Sequence, residues 1–204
     1  MILFHFLFTK ERELKKLCVL QWKKLRGKTA LQVLEEYGNK NSIPIDLESL
    51  IKSIGISVLP MDFTELENRK NQGHIMGLVL SDEKNAVIYY SSQDRVNRQR
   101  FTIAHELGHI CLTLSDDKRH FFVDWRRESE SDDENNLHEK NANIFAGELL
   151  IPFHKLKEEY MNMRYPNSVD LAYKFGVSVN VMEKRLEHLG IMYFNRRGQA
   201  VTYD

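Results

Sequence analysis

The stretch His105-Glu106-Leu107-Gly108-His109 has the H-E-x-x-H pattern, and it is the part of the chain best suited to chemistry. Residues four apart in an α-helix lie on one face, so both imidazoles can bind the same metal ion. Nitrogen ligands in a site with an open position favour Zn²⁺. Glu106 projects beside the pair and can act as a base toward water rather than as a ligand. We therefore predict His105 and His109 as zinc ligands and Glu106 as the catalytic residue.

A catalytic zinc site usually takes three protein ligands and keeps one position for water. The best source of the third ligand is the stretch 139–152, which begins with Glu139 and carries mostly small residues along the same helical face. Gly108 lies between the two histidines, where a small residue lets another segment approach. We predict Glu139 as the third ligand. The alternatives that stay open are His138, Glu148 and an acid from residues 128–134.

Apolar periodicity predicts the elements that position these residues. A helical pattern runs from about residue 92 to 114, and a second runs from about 136 to 151, where Pro152 ends it. Two β-rich runs, 74–80 and 86–90, flank a polar turn and predict a hairpin. The second run directly precedes the H-E-x-x-H helix, so we expect it to be a sheet edge that binds extended substrate. This substrate-binding strand is Ala86, Val87, Ile88, Tyr89 and Tyr90.

The remaining patterns predict short elements around this centre. Helices are expected at 29–37, at 47–54 behind an Asp46 cap, at 168–175 and at 178–189, and a strand is expected at 56–59. A terminal hairpin is expected from 191–194 and 199–202. Residues 115–138 show no periodicity. Five acids fall among the seven residues 128–134, which predicts a solvated loop that can cover the site until a partner moves it.

Composition narrows the classes of function. The 204 residues carry 29 Lys plus Arg and 29 Asp plus Glu, so a general polyanion binder is not expected. The two cysteines predict reduced thiols and a cytoplasmic location. No apolar run reaches the roughly 20 residues of a membrane helix. Residues 10–28 hold eight basic residues against two acids, which predicts an amphipathic helix with a basic face.

The blocks Arg100–His109 and Glu139–Pro152 together resemble the ImmA/IrrE family of metallopeptidases. The resemblance implies an α+β, zincin-like domain in which a small sheet backs the active-site helix, followed by a helical C-terminal part. It implies zinc bound by His105, His109 and Glu139, with Glu106 as the acid/base. It also implies a helix-turn-helix repressor or antitoxin as the partner that is cleaved or inactivated, in a phage, mobile-element, toxin–antitoxin or stress-response setting.

The expected organisation has three parts. Residues 1–40 form a basic helical extension outside the resemblance, 41–165 form the peptidase core, and 166–204 form a helix-turn-helix-like hairpin with short strands packed on the core.

Two rival functions stay open. The first is a zinc-containing binding protein that controls a repressor without cutting it. The second is a DNA-binding regulator that uses its C-terminal helices. Direct DNA binding is not favoured, because only Asn180 offers a base-reading side chain early in the second helix. Candidate donors to the oxyanion of a peptidase are His120, Tyr160 and Tyr173, and the sequence does not choose among them.

Overall fold

A computed structural model describes residues 22–38, 42–70, 74–81, 86–112, 120–125 and 134–203. After a 3-10 turn at Trp22–Leu25, these residues form eight α-helices. The helices are α1 (Ala30–Tyr37), α2 (Leu47–Ile54), α3 (Thr64–Lys70), α4 (Val96–Leu112), α5 (Glu134–Leu150), α6 (Phe153–Met161), α7 (Ser168–Phe175) and α8 (Val179–His188). The strands are β1 (Ser57–Met61), β2 (Ile75–Ser81), β3 (Ala86–Ser91), β4 (His120–Trp125), β5 (Tyr193–Phe194) and β6 (Ala200–Val201).

Four strands form the main sheet, in the order β1-β3-β2-β4. β1 is parallel to β3, whereas β2 is antiparallel to both β3 and β4. The predicted hairpin of β2 and β3 is confirmed. The predicted edge position of residues 86–90 is wrong, because β3 pairs with β1 on one side and with β2 on the other. The backbone groups of Ala86, Val87, Ile88, Tyr89 and Tyr90 are therefore used within the sheet, and β1 and β4 are its outer strands in the described part of the chain.

The helix that carries the H-E-x-x-H pattern lies on this sheet. α4 contacts β2 and β3, and its residues 104–111 are all buried. α5 packs along α4 at short range, and a Cβ added to Gly108 would lie 3.2 Å from the Cα of Ala142. The expected role of Gly108 in close packing is confirmed. An α+β fold with a small sheet behind the central helix is also confirmed.

The described part of the N-terminal extension belongs to the main core. Leu25, Ala30, Val33 and Leu34 are fully or almost fully buried in it. The amide of Gly27 also donates to the carbonyl of Cys111 at the end of α4, at 2.8 Å. The expected boundary at residue 40 is thus no break in the packing. The basic helix expected at 10–28 lies mostly outside the described residues.

The C-terminal helices are docked on α4 through its polar side chains. Arg100 donates to the carbonyl of Gly176 at 3.2 Å and to that of Ile45 at 2.8 Å. Asn97 donates to the carbonyl of Val177 at 3.1 Å. The contacts to Gly176 and Val177 fix the turn between α7 and α8. Gly176 ends α7 in the left-handed conformation, with φ of 62°, and glycine adopts this region without a Cβ penalty.

Three elements were not predicted. Residues 115–138 show no periodicity and so predict no strand, but β4 forms within them because β2 offers it an unpaired side. α3 and α6 are short, and neither has a long apolar stripe that would indicate it. The acidic residues 128–133 lie outside the described residues. Among the described residues, no helix has the length and apolar character needed to cross a bilayer.

Candidate metal centre

The structure brings His105, His109 and Glu139 together. Nε2 of His105 lies 2.9 Å from Nε2 of His109 and 3.2 Å from Oε2 of Glu139. Nε2 of His109 lies 3.3 Å from Oε1 of Glu139. Tetrahedral ligands at 2.0–2.1 Å from an ion are about 3.3 Å apart, so the three donors fit a metal of the size and geometry of zinc. These three residues are the cluster of metal-binding type among the described residues.

Two helices supply these donors, and small side chains explain why the helices pack closely enough to bring the donors together. His105 and His109 are one turn apart on the face of α4 that meets α5, and both are 3% exposed. Glu139 lies in the second turn of α5, with its side chain 47% exposed. Ala142 and Ala146 follow Glu139 on the buried side of α5. Small side chains on both helices therefore allow the approach that places the carboxylate against the imidazoles.

The tautomer of His105 is fixed by a neighbour on α5. Nδ1 of His105 lies 3.0 Å from Oδ1 of Asn143. An amide oxygen only accepts hydrogen bonds, so Nδ1 is the protonated nitrogen and donates to it. In the neutral imidazole the lone pair is then on Nε2, which faces Glu139 and a bound metal, whereas in the doubly protonated ring Nε2 donates to Glu139. An outer hydrogen bond of this kind orients a metal-binding histidine.

The charge state of Glu139 also suits a metal ligand. Burial raises the pKa of its carboxyl, but hydrogen bonds from His105 and His109 lower it further than burial raises it. The attraction of both imidazoles adds to this effect, and the pKa lies well below its ordinary value. Glu139 is therefore an anion at neutral pH and offers two charged oxygens to a cation.

Glu106 is fully buried beside the histidines, at the point where α4 crosses β2. Its carboxylate sits over Gly77, and a Cβ added there would collide with Oε1 of Glu106 and lie 2.6 Å from Cγ2 of Thr102. Gly77 thus provides the space for the Glu106 side chain. Sequence reasoning missed Gly77. The signal was a glycine inside an apolar strand, which commonly marks a close approach.

The structure separates the other predicted candidates from this cluster. Glu148 lies 3.4 Å from Arg185 Nη1, and His138 is exposed outside the cluster. The hydroxyl of Tyr160 donates to the carbonyl of Met192 at 2.7 Å, and Tyr173 is 87% exposed. The side chain of His120 lies outside the described residues. Sequence analysis gave no role to Asn143, although it lies four residues after Glu139 and so on the same helical face.

A sheet-backed helix with an H-E-x-x-H pair, completed by a carboxylate from a second helix, defines the zincin-like class of metallopeptidase domain. Within that class, residues 51–187 match the family model described as Peptidase_M78, IrrE N-terminal-like domain. The chain belongs to this family, which indicates a metallopeptidase of the ImmA/IrrE type. The resemblance seen in the sequence is thereby confirmed.

A curated relative supports the same assignment. The chain is 39% identical over 71 residues to the radiation response metalloprotease IrrE of Deinococcus deserti. The matched part covers 35% of this chain and 24% of the relative, so the chain spans about a quarter of that protein.

Proposed function

We propose that the chain is a zinc-dependent endopeptidase that cleaves a helix-turn-helix repressor or antitoxin. The observation that carries the proposal is the convergence of His105, His109 and Glu139, with Glu106 buried beside them. The name of the similar Deinococcus protein supports a proteolytic activity and a stress-response setting. A phage, a mobile element or a toxin–antitoxin pair is also proposed as a setting in which the chain acts, on the family resemblance alone.

The chain's own residues divide the chemistry among them. His105, His109 and Glu139 would hold the zinc ion. When bound, such an ion polarises a peptide carbonyl and makes water more acidic. Glu106 takes the proton of the attacking water and gives it to the leaving nitrogen, so one carboxylate serves first as base and then as acid. Asn143 holds the His105 ring in its orientation.

An extended substrate needs a free sheet edge near this chemistry. β4 pairs with β2 through Gly77–Asp124, and Gly77 is the residue beneath Glu106. No strand pairs with the other side of β4 among the residues that the structure describes. We propose that the substrate backbone adds to β4, in place of the β3 edge expected from the sequence.

The second candidate function is capture of a repressor without cleavage. The accessible Glu139 carboxylate and the buried Glu106 favour the catalytic reading, because a site used only for binding does not need a base at this point. Direct DNA reading by α8 is disfavoured because Met182, Arg185 and Leu186 are buried against the core. The partner is thus proposed to be a protein.

The test combines metal content with cleavage of a co-encoded helix-turn-helix protein. Glu106→Gln keeps the shape of the side chain and removes the base, and Glu187→Gln makes the same change at an exposed position on α8. We expect one zinc per chain in all three proteins, with cleavage lost only in Glu106→Gln. An equal biological effect of the wild type and Glu106→Gln would support capture instead.

A further inference from the structure

A cavity of about 770 Å³ adjoins the metal centre. Its walls come from the N-terminal half of α4, the middle of α5 and one face of α8. Asn143, which holds the His105 ring, is part of the wall. Phe101 is another part, and its ring centroid lies 6.3 Å from that of His105. A group bound in this cavity would be one side chain away from a residue of the candidate metal site.

The wall is strongly basic. Arg95, Arg98, Lys184 and Arg185 all line the cavity. No carboxylate lines it among the residues that the structure describes. The backbone amides at the start of α8, beside Ser178, add partial positive charge on the same side. The chain as a whole has no net charge, so this concentration is a local feature.

Arg185 is the most deeply buried of these cations. It is 7% exposed, and its Nη1 lies 3.4 Å from Oε1 of Glu148, which is a long contact for an ion pair. Its Nε has no hydrogen-bond partner among the described residues. Glu148 offsets part of its charge, and the remaining positive charge belongs to the wall of the cavity. The exposed cations Arg98 and Lys184 are the ones within reach of a bound anion.

We propose that this cavity is a specificity pocket that binds an acidic side chain of the peptide substrate, within a few residues of the cleaved bond. The inference rests on the proposed peptidase function. The volume of the cavity is within the range of ligand pockets, about 300–1,000 Å³. The cavity can therefore hold a side chain but not a nucleic-acid duplex. A peptide is favoured over nucleic acid because the basic residues line a concave wall beside the metal centre.

Binding is measured first, without cleavage. The probe is a set of three fluorescent mixed-sequence octapeptides that carry either Glu, Gln or Lys at two fixed positions. They are titrated into full-length Glu106→Gln by fluorescence anisotropy at low salt. We expect the Glu set to bind at least about fivefold more tightly than the Gln set, with the Lys set weakest. Screening by salt should reduce this preference.

Substitutions then assign the preference to the cavity. Lys184→Gln and Arg98→Gln, made in the same background, should each weaken binding of the Glu set by about two- to fivefold, as expected for exposed charge pairs. Lys157→Gln and Arg196→Gln remove the same charges at exposed positions outside the wall and should change nothing. The double substitution Arg98→Glu and Lys184→Glu should turn the preference toward the Lys set, which loss of folding cannot imitate.

Equal binding of the three peptide sets overturns the pocket, as does a Glu preference that survives the double reversal. No binding of any set also overturns it. Tighter, cavity-dependent binding of duplex DNA would replace the peptide with nucleic acid. Cleavage by the wild-type chain is recorded separately. Selective binding of the Glu set without cleavage would support the pocket and contradict the peptidase function. Cleavage without any charge preference would support the peptidase function and contradict the pocket.

Discussion

Gly77→Ala should separate metal binding from catalysis. Gly77 lies in β2 beneath the carboxylate of Glu106. The added methyl carbon would be 2.6 Å from Cγ2 of Thr102, whereas carbon atoms in contact are about 3.5 Å or more apart. The shortfall is about 0.9 Å. The atom nearest to the new methyl group is Oε1 of Glu106, so the carboxylate must move by a comparable distance.

This displacement allows the effect on rate to be estimated. A misplacement of about 1 Å at a catalytic group can cost about 100-fold, which corresponds to about 2.7 kcal/mol of transition-state stabilisation. The Glu106 carboxylate is the end of a flexible side chain and can shift, whereas Thr102 is β-branched and buried, so the variant also strains the packing of α4 on β2. We therefore expect kcat/KM for peptide cleavage to fall by about 100-fold. Zinc content should stay close to that of the wild type, and the thermal unfolding midpoint should fall by several degrees, because overpacking of a core costs about 1–3 kcal/mol.

The matched control is Gly147→Ala, made on α5 close to the same centre. A Cβ at this position has Arg185 Cδ as its nearest atom, at 3.9 Å, which is an ordinary contact. Because Gly147 lines the proposed substrate cavity, this variant is a control for metal content and thermal stability, both of which should be retained. The reasoning is refuted if Gly77→Ala cleaves at the wild-type rate, or if it loses the metal together with activity.

Three further predictions concern other parts of the chain. Asn143→Ala should weaken zinc binding by about 10- to 100-fold in a chelator competition, whereas Asn141→Ala, at an exposed position of the same helix, should not. Burial raises the pKa of the Cys111 thiol to about 12, so native protein should resist alkylation at Cys111 at pH 8, and rapid labelling would contradict this. Asp46→Ala removes the cap of α2 and should cost about 1 kcal/mol, or roughly 2–4 °C in Tm. Hydrogen bonds from Ser49 hold the pKa of Asp46 below its ordinary 3.8. The difference in unfolding free energy between the wild type and Asp46→Ala should therefore reach its full size above pH 3.8 and decrease as the pH falls through the lowered pKa.

Local patterns specified most of the elements and pointed to the three residues of the candidate metal centre. Asp46 and Gly55 bound α2 because a cap and a left-handed terminus depend on neighbouring residues alone. The spacing of His105 and His109 fixed their common face for the same reason, since helical geometry sets which residues align. Glu139 followed from the small residues after it, which predicted the close approach of α5 to α4.

Strand order was decided only by tertiary structure. Residues 86–90 have an apolar pattern that fits an edge strand and an inner strand equally well, and long-range pairing with β1 placed them inside the sheet. Long-range pairing with β2 likewise makes residues 120–125 a strand, although their sequence has no periodic signal. The space that Gly77 leaves for Glu106 and the basic wall around Arg185 each join residues far apart in the chain. Local spacing carries no information about such contacts, because they depend on how separate helices and strands pack.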